Sequence, residues 1–499
     1  MDKYTIDEHI NRSLNLSIYD GVFASIMAAL TSGIFLVGFA LHLGATNLEM
    51  GFIASLPLFV NVSQLLSVHL LQQKNIKRKN LVILTAGISR TVWFIIILLP
   101  GIVFSSSFWA LWIFMMLIGL SSLFGSICGP PWLSWMRDLV PLDIRGRYFA
   151  RRNRWCGLAV MLSSLAGAKF IDFWKIFAPD NLYYGFLIVF GVGTLFGLIS
   201  LFPLSLIPDY FESKSESDIP FRELMRIPLR DKNFKRLLIY SMSWSFAINL
   251  AAPFFTVYML EDLKISYTTI SLFAIVEATI NIVALRMWGR LTDRFGNKPV
   301  LSVCGTIGSL TAFMWIFSSP DKYYIIPLIY AVNGFAFSAI GLAANNILLK
   351  LSPQKNNVAY LSVFATLTSL AAAIGPLFGG AIGQLFIGKS LTIQLEWLTK
   401  NKDSIFSIFK LWHFHFLLIL AGALRLITTS SLAQVKEVGE AHPREVIRIL
   451  TNTRSLATML GMSWFTNYFI EKPISIIKRI GEVFRDITDK DEDSDEKED

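Results

Sequence analysis

The chain has 499 residues, 54% of them hydrophobic and only 16% charged, with a mean hydropathy of +0.53. A soluble chain would carry about a quarter charged residues, so large soluble catalytic domains are excluded, while the length holds roughly twelve membrane helices of about 20 residues each. A net charge of +9 and a pI near 9.3 would suit a nucleic-acid binder, but the basic residues sit in short loops between apolar runs. Membrane topology accounts for them, and no nucleic acid is expected as a partner. Cys128, Cys156 and Cys304 lie in or beside apolar segments at no metal-like or disulfide-like spacing. The first apolar run follows a polar stretch of mixed charge and is long enough to cross the membrane, which reads as an uncleaved helix.

Uninterrupted apolar runs predict six spans at Tyr19–Leu43, Leu48–Leu71, Leu81–Phe104, Phe108–Trp132, Trp155–Phe177 and Tyr184–Leu206. Six more follow at Leu237–Leu260, Tyr267–Trp288, Val300–Phe317, Tyr324–Leu349, Val358–Phe386 and Leu411–Leu432. The expected fold is an all-α membrane protein of twelve transmembrane helices in two pseudo-twofold-related six-helix bundles, 19–207 and 237–434. A cytoplasmic segment, 1–18, precedes them, and a polar cytoplasmic loop, 208–236, joins them. An amphipathic interfacial segment, 435–487, and an acidic disordered tail, 488–499, follow. Lys74, Lys77, Arg78 and Lys79 crowd one loop, while the Leu43–Leu48 and Pro100–Phe108 turns carry no Lys or Arg. This asymmetry, repeated along the chain, places both termini in the cytoplasm and the protein in the plasma membrane.

The halves look duplicated. Pro141 is followed seven residues later by Tyr148 and a small-residue span, and Pro353 seven later by Tyr360 and another. Between spans 8 and 9 stands Gly289-Arg-Leu-Thr-Asp293-Arg294-Phe-Gly296-Asn-Lys298. It resembles the G-x-x-x-D-R-x-G-x-K signature of the major facilitator superfamily. The loop after span 4, with Asp138, Arg145, Gly146, Arg147, Arg151 and Arg152, is similar to the superfamily's second cytoplasmic element. Leu70–Lys79 keeps positive charge but has no Gly and no Asp, a departure from the family's usual first copy. The resemblance implies a secondary transporter that moves a small solute by alternating access, without enzyme activity or cofactor. It also implies gating roles for these loop residues and a site between the halves near the midplane. The competing reading is a transporter-fold sensor or scaffold without turnover, and solute flux separates the two.

Charge inside hydrocarbon needs a reason. Glu277 lies about 18 Å from the cytoplasmic Gly289 at 1.5 Å per residue, close to the bilayer centre, where it is the candidate for proton exchange. Arg90 and Arg425 lie about 13–15 Å deep by the same rise, in spans the resemblance makes peripheral, and are expected to snorkel or to pack against the bundle. Asp20 opens span 1, where an acid suits a helix N-terminus, and Lys169 and Asp172 are expected at the outer interface. Asn61, Gln64, Asn249, Asn333, Asn345 and Asn346 would be costly against lipid and are expected to line the solute pathway. His413 and His415 are two apart and do not share a helix face. No nucleotide loop, zinc motif or nucleophile triad appears, so no catalytic or metal residue is expected. The partners expected are a small solute, protons if Glu277 couples them, and the bilayer around a monomer.

Overall fold

Apolar runs of this length satisfy their backbone groups in lipid only by forming helices, and the computed structural model is built from them. It describes residues 3–64, 66–67, 70, 77–103, 107–209, 221–320, 322–353, 357–399 and 402–451. Span 1 consists of two helices, Lys3–Thr31 and Gly33–His42. Span 2 begins with Asn47–Val60 and a tight turn at Asn61–Ser63. Spans 3 to 6 are Arg78–Val103, Ser107–Leu139, Arg145–Phe177 and Leu182–Leu206. Spans 7 to 12 are Lys232–Glu261, Tyr267–Phe295, Asn297–Met314, Ile326–Leu351, Asn357–Leu385 and His413–Ser431. Among the described residues eleven helices are long and apolar enough to cross a membrane, and span 2, partly outside the description, completes twelve.

The helix of span 1 starts at Lys3, well before the expected Tyr19. Leu14 and Ile18 explain the extension, because both are buried against the ends of spans 4, 5 and 6. Span 1 then breaks where Ser32 is extended and Gly33 adopts a φ of +57°, a conformation that favours glycine. A second departure lies between spans 11 and 12. Strands β1 (Leu391–Thr399) and β2 (Lys402–Leu411) pair antiparallel there, on the side away from the termini. The helices expected after Ser455, with the acidic tail, lie outside the described residues.

Packing divides into three cores. One cluster joins both halves on the side away from the termini, with Phe39, Met50 and Phe186 of the first half against Phe254, Tyr258 and Tyr267 of the second. On the terminal side the halves have separate cores, one around Trp135, Met136 and Tyr148 and the other around Trp288, Leu291 and Tyr360. A shared core at one end and separate cores at the other make a molecule closed on the side away from the termini and parted on the terminal side. Each repeat tyrosine meets the first helix of its own half. The Tyr148 hydroxyl donates to the Leu14 carbonyl of span 1 (3.3 Å), and the Tyr360 ring stands edge-on to Phe234 of span 7 at 4.5 Å.

Candidate functional site: a polar stratum between the cores

Between the shared core and the two terminal-side cores lies a layer of polar side chains at mid-depth. In span 8, Phe273 belongs to the shared core and Ala284 to the terminal-side core, and Glu277 falls between them. Its carboxylate is half-buried and has no hydrogen-bond or ion-pair partner among the described residues. Span 10 passes close by, because a Cβ at Gly334 would collide with the Glu277 carbonyl. The neighbouring Asn333 accepts a hydrogen bond from Thr311 of span 9 (2.7 Å). Asn249 of span 7 donates to the Ser245 carbonyl in its own helix (2.8 Å). Arg425 of span 12 is 3% exposed and points toward the carbonyls of Ile248 (3.3 Å) and Gly308 (3.5 Å). It packs into the bundle and does not snorkel.

The first half contributes to the same layer. Asn61 and Gln64 approach each other at 3.5 Å, and Ser63 meets Ser126. Arg90 of span 3, half-buried, turns inward to the buried Asp20 of span 1 at 3.8 Å. Their separation exceeds a hydrogen bond, and Asp20 Oδ1 and one Arg90 terminal nitrogen are left without hydrogen-bond partners. Read singly, each residue had a local explanation; only folding shows that they form a pair. Asn345 and Asn346 lie nearer the terminal side, exposed and half-buried respectively, apart from Glu277.

On the side away from the termini the halves are tied by backbone chemistry. The Asp172 carboxylate of span 5, expected at the interface, accepts the Tyr267 and Thr268 amides (3.0 and 2.7 Å) at the N-terminus of span 8. Free amides and the helix dipole both favour an anion there. Ser55 of span 2 donates to the Ala373 carbonyl of span 11 (2.6 Å). Gly51 faces Pro376 and Gly380 faces Asn47 so closely that a Cβ at either would meet backbone. Gly375, Pro376, Gly379 and Gly380 therefore serve close helix packing.

On the terminal side Asp293 is exposed and makes no ion pair among those described, while Arg294 lies over the Phe295 ring at 5.1 Å. Gly289 is half-buried with open space at its Cβ position, and Gly296 turns the chain into span 9 with a φ of +88°. Glu437, just after span 12, accepts from the Asn297 side chain (2.8 Å), the Lys298 amide (2.7 Å) and Lys350 of span 10 (3.0 Å). Lys298 also pairs with Glu440 at 2.8 Å. The first half has the counterpart. Arg78, opening span 3, binds Asp138 of span 4 and Asp209 just after span 6 (2.8 Å). Asp209 and Glu437 were not singled out from the sequence, although an acid soon after the sixth span of each repeat is a signal that spacing could have given. Arg145 donates to the carbonyls of Arg137 (2.7 Å) and Val140 (3.3 Å), and Gly146 is exposed. Arg152 donates to the Ser17 carbonyl (3.2 Å) and lies over Trp132 at 4.5 Å, whereas Arg147 and Arg151 line a cavity.

Two six-helix halves around a polar midplane layer, closed at one end, define the architecture of a secondary transporter. The Major Facilitator Superfamily model matches residues 21–376 and 237–470, and the chain belongs to that family. It is 27% identical over 109 residues to the class H tetracycline resistance protein of Pasteurella multocida, covering 22% of this chain and 26% of that protein. It is 25% identical over 149 residues to the multi-drug resistance efflux pump PmrA of Streptococcus pneumoniae, covering 28% of this chain and 35% of that one. The chain thus matches about a quarter to a third of the length of these relatives. The nucleoside transporter NupG shares the fold, with a TM-score of 0.62 at 11% identity over 86% of this chain and 98% of its own.

Proposed function

We propose that the protein is a secondary transporter of a small solute, working by alternating access with Glu277 as its proton-exchanging group. The observation that carries this reading is an unpaired carboxylate at mid-depth, where the shared core ends and the halves part. A bare charge there is costly, and the cost is relieved when it binds a proton or a cationic group of the solute. Charge bias supports a cytoplasmic location for the lysine- and arginine-rich terminal side, and on that reading the parted side opens to the cytoplasm. Two carboxylate latches at opposite ends of the span 5–span 8 pair would alternate. Asp172 on the N-terminus of span 8 closes the outer side, and Asp293, on rocking, meets the arginine-rich N-terminus of span 5 to close the inner side.

The test is reconstitution in liposomes with an imposed pH gradient and a panel of labelled amines, nucleosides, sugars and organic anions. Accumulation that collapses with a protonophore and is lost in Glu277→Gln supports the reading. Gradient-driven transport that persists in Glu277→Gln removes the assigned role. Saturable binding without flux of any solute on the panel would instead mark a sensor.

A further inference from the structure

We propose that the protein carries a binding site for a phosphate ester at its terminal face, away from the polar layer around Glu277 and built on two of the arginines at the span 5 N-terminus that the proposed inner latch also uses. The site is a cavity of about 330 Å³ between the extended start of span 1 and the start of span 5. Arg147 and Arg151 stand four residues apart on one helix face and both line it. Across from them, Asn11 and Asn15 offer amide donors from span 1, also one turn apart. Two guanidinium forks and two amides make a donor set suited to phosphate oxygens, because guanidinium binds them in bidentate geometry. Among the described residues neither arginine is in an ion pair. Among the acids whose side chains are described, Asp20 faces Arg90, Asp138 binds Arg78, and Asp143 is exposed and pairs with neither arginine.

The remaining walls are apolar. Leu14, Ile18, Ile144 and the Tyr148 ring line the same cavity, the Tyr148 hydroxyl being engaged by the Leu14 carbonyl, and Leu14, Ile18 and Tyr148 are buried in the core of the first half. The cavity sits beside the first turns of the span 5 helix, which starts at Arg145 ahead of the apolar run from Trp155, with the exposed arginines at its mouth and the buried aliphatic groups inward. That gradient matches an anionic phospholipid, whose headgroup would meet the arginines while its chains follow the apolar walls. Basic pockets between helices at an anionic cytoplasmic leaflet are built in this way. A soluble phosphorylated compound would share the headgroup chemistry and make no use of the apolar wall.

The experiment uses the full chain purified in neutral detergent, titrated with diheptanoyl phosphatidylglycerol, diheptanoyl phosphatidylcholine or inorganic phosphate, with thermal stability as the readout. Ligand that binds the folded state raises the melting temperature by mass action. The expected result is a saturable rise with phosphatidylglycerol and none with phosphatidylcholine. The midpoint should weaken at least about tenfold in Arg147→Gln/Arg151→Gln. Asn11→Trp keeps both arginines but fills the cavity and should weaken binding equally, while Lys232→Gln/Lys235→Gln, exposed on the other half, should leave it unchanged. An equal rise with inorganic phosphate, lost in the same variants, assigns the site to a soluble phosphate. Phosphatidylglycerol binding that survives both the arginine and the tryptophan variants overturns the proposal, as does the absence of stabilisation by either phosphate ligand.

Discussion

Glu437 shows how much one side chain can organise. It is fully enclosed, and burial alone would favour its protonated form, but the Lys298 amide, the Asn297 side chain and Lys350 outweigh burial and hold its pKa below the usual glutamate value. A depressed carboxylate contributes stability above its unfolded pKa, and that contribution is lost as pH falls through the lower folded value. Docking of the segment after span 12 should therefore be constant near neutrality and weaken below about pH 4.3. Glu437→Gln should remove about 1–3 kcal/mol at pH 7 and flatten the acid limb, read as melting temperature against pH. Equal acid sensitivity in the variant would contradict this assignment. Asp262, just beyond span 7, behaves oppositely. Burial pushes its carboxyl up to about 6 despite Lys264, so its stabilising contribution is present in acid and lost as pH rises through that value. Asp262→Asn should raise the melting temperature more at pH 7.5 than at pH 5, and the reverse order would refute it.

Among the elements, the close approach of spans 2 and 11 depends on residues without side chains. Gly380 faces the Asn47 carbonyl and the Leu48 backbone, and backbone cannot swing aside. Gly380→Val should cost about 1–3 kcal/mol through overpacking and separate the outer ends of these spans. A cysteine replacing Ser55 should then become reactive to a reagent added from outside; continued protection would show that the helices repack. The sequence displayed this glycine run but not its partner, since helix packing pairs residues more than three hundred positions apart. The hairpin β1–β2 is legible by a different signal from the spans: Ile393, Leu395 and Trp397 alternate with Thr392, Gln394 and Glu396 at the period of a strand, which a search for membrane-spanning length does not detect.

For the whole molecule, the proposed alternating access makes the balance between the two open states depend on which end of the span 5–span 8 pair is latched. Asp172→Asn removes a charged cap of about 1–2 kcal/mol, enough to move the equilibrium five- to thirtyfold toward the outward-open state. Asp293→Asn should move it the other way. Spin-label distances across the outer ends of spans 5 and 8 measure both, and shifts of the same sign in the two variants would sink the alternating-latch scheme.

The sequence by itself determined the twelve-helix, two-bundle architecture, because lipid leaves an apolar run of twenty residues no other way to satisfy its backbone. It also pointed to the duplication, through Pro141 and Tyr148 repeated as Pro353 and Tyr360, and to Glu277, Arg90 and Arg425 as charges that need a reason, through the cost of charge in hydrocarbon. Tertiary structure decided what pairs with what. That Arg90 turns to Asp20, that Asp172 caps span 8 and that Glu437 clamps the start of span 9 depend on how helices rotate about their axes and meet. Local hydropathy carries no record of rotation, since it sums over all faces of a helix alike. Which side stands open is likewise a property of the three cores together, set by small differences between large packing energies that no single segment encodes.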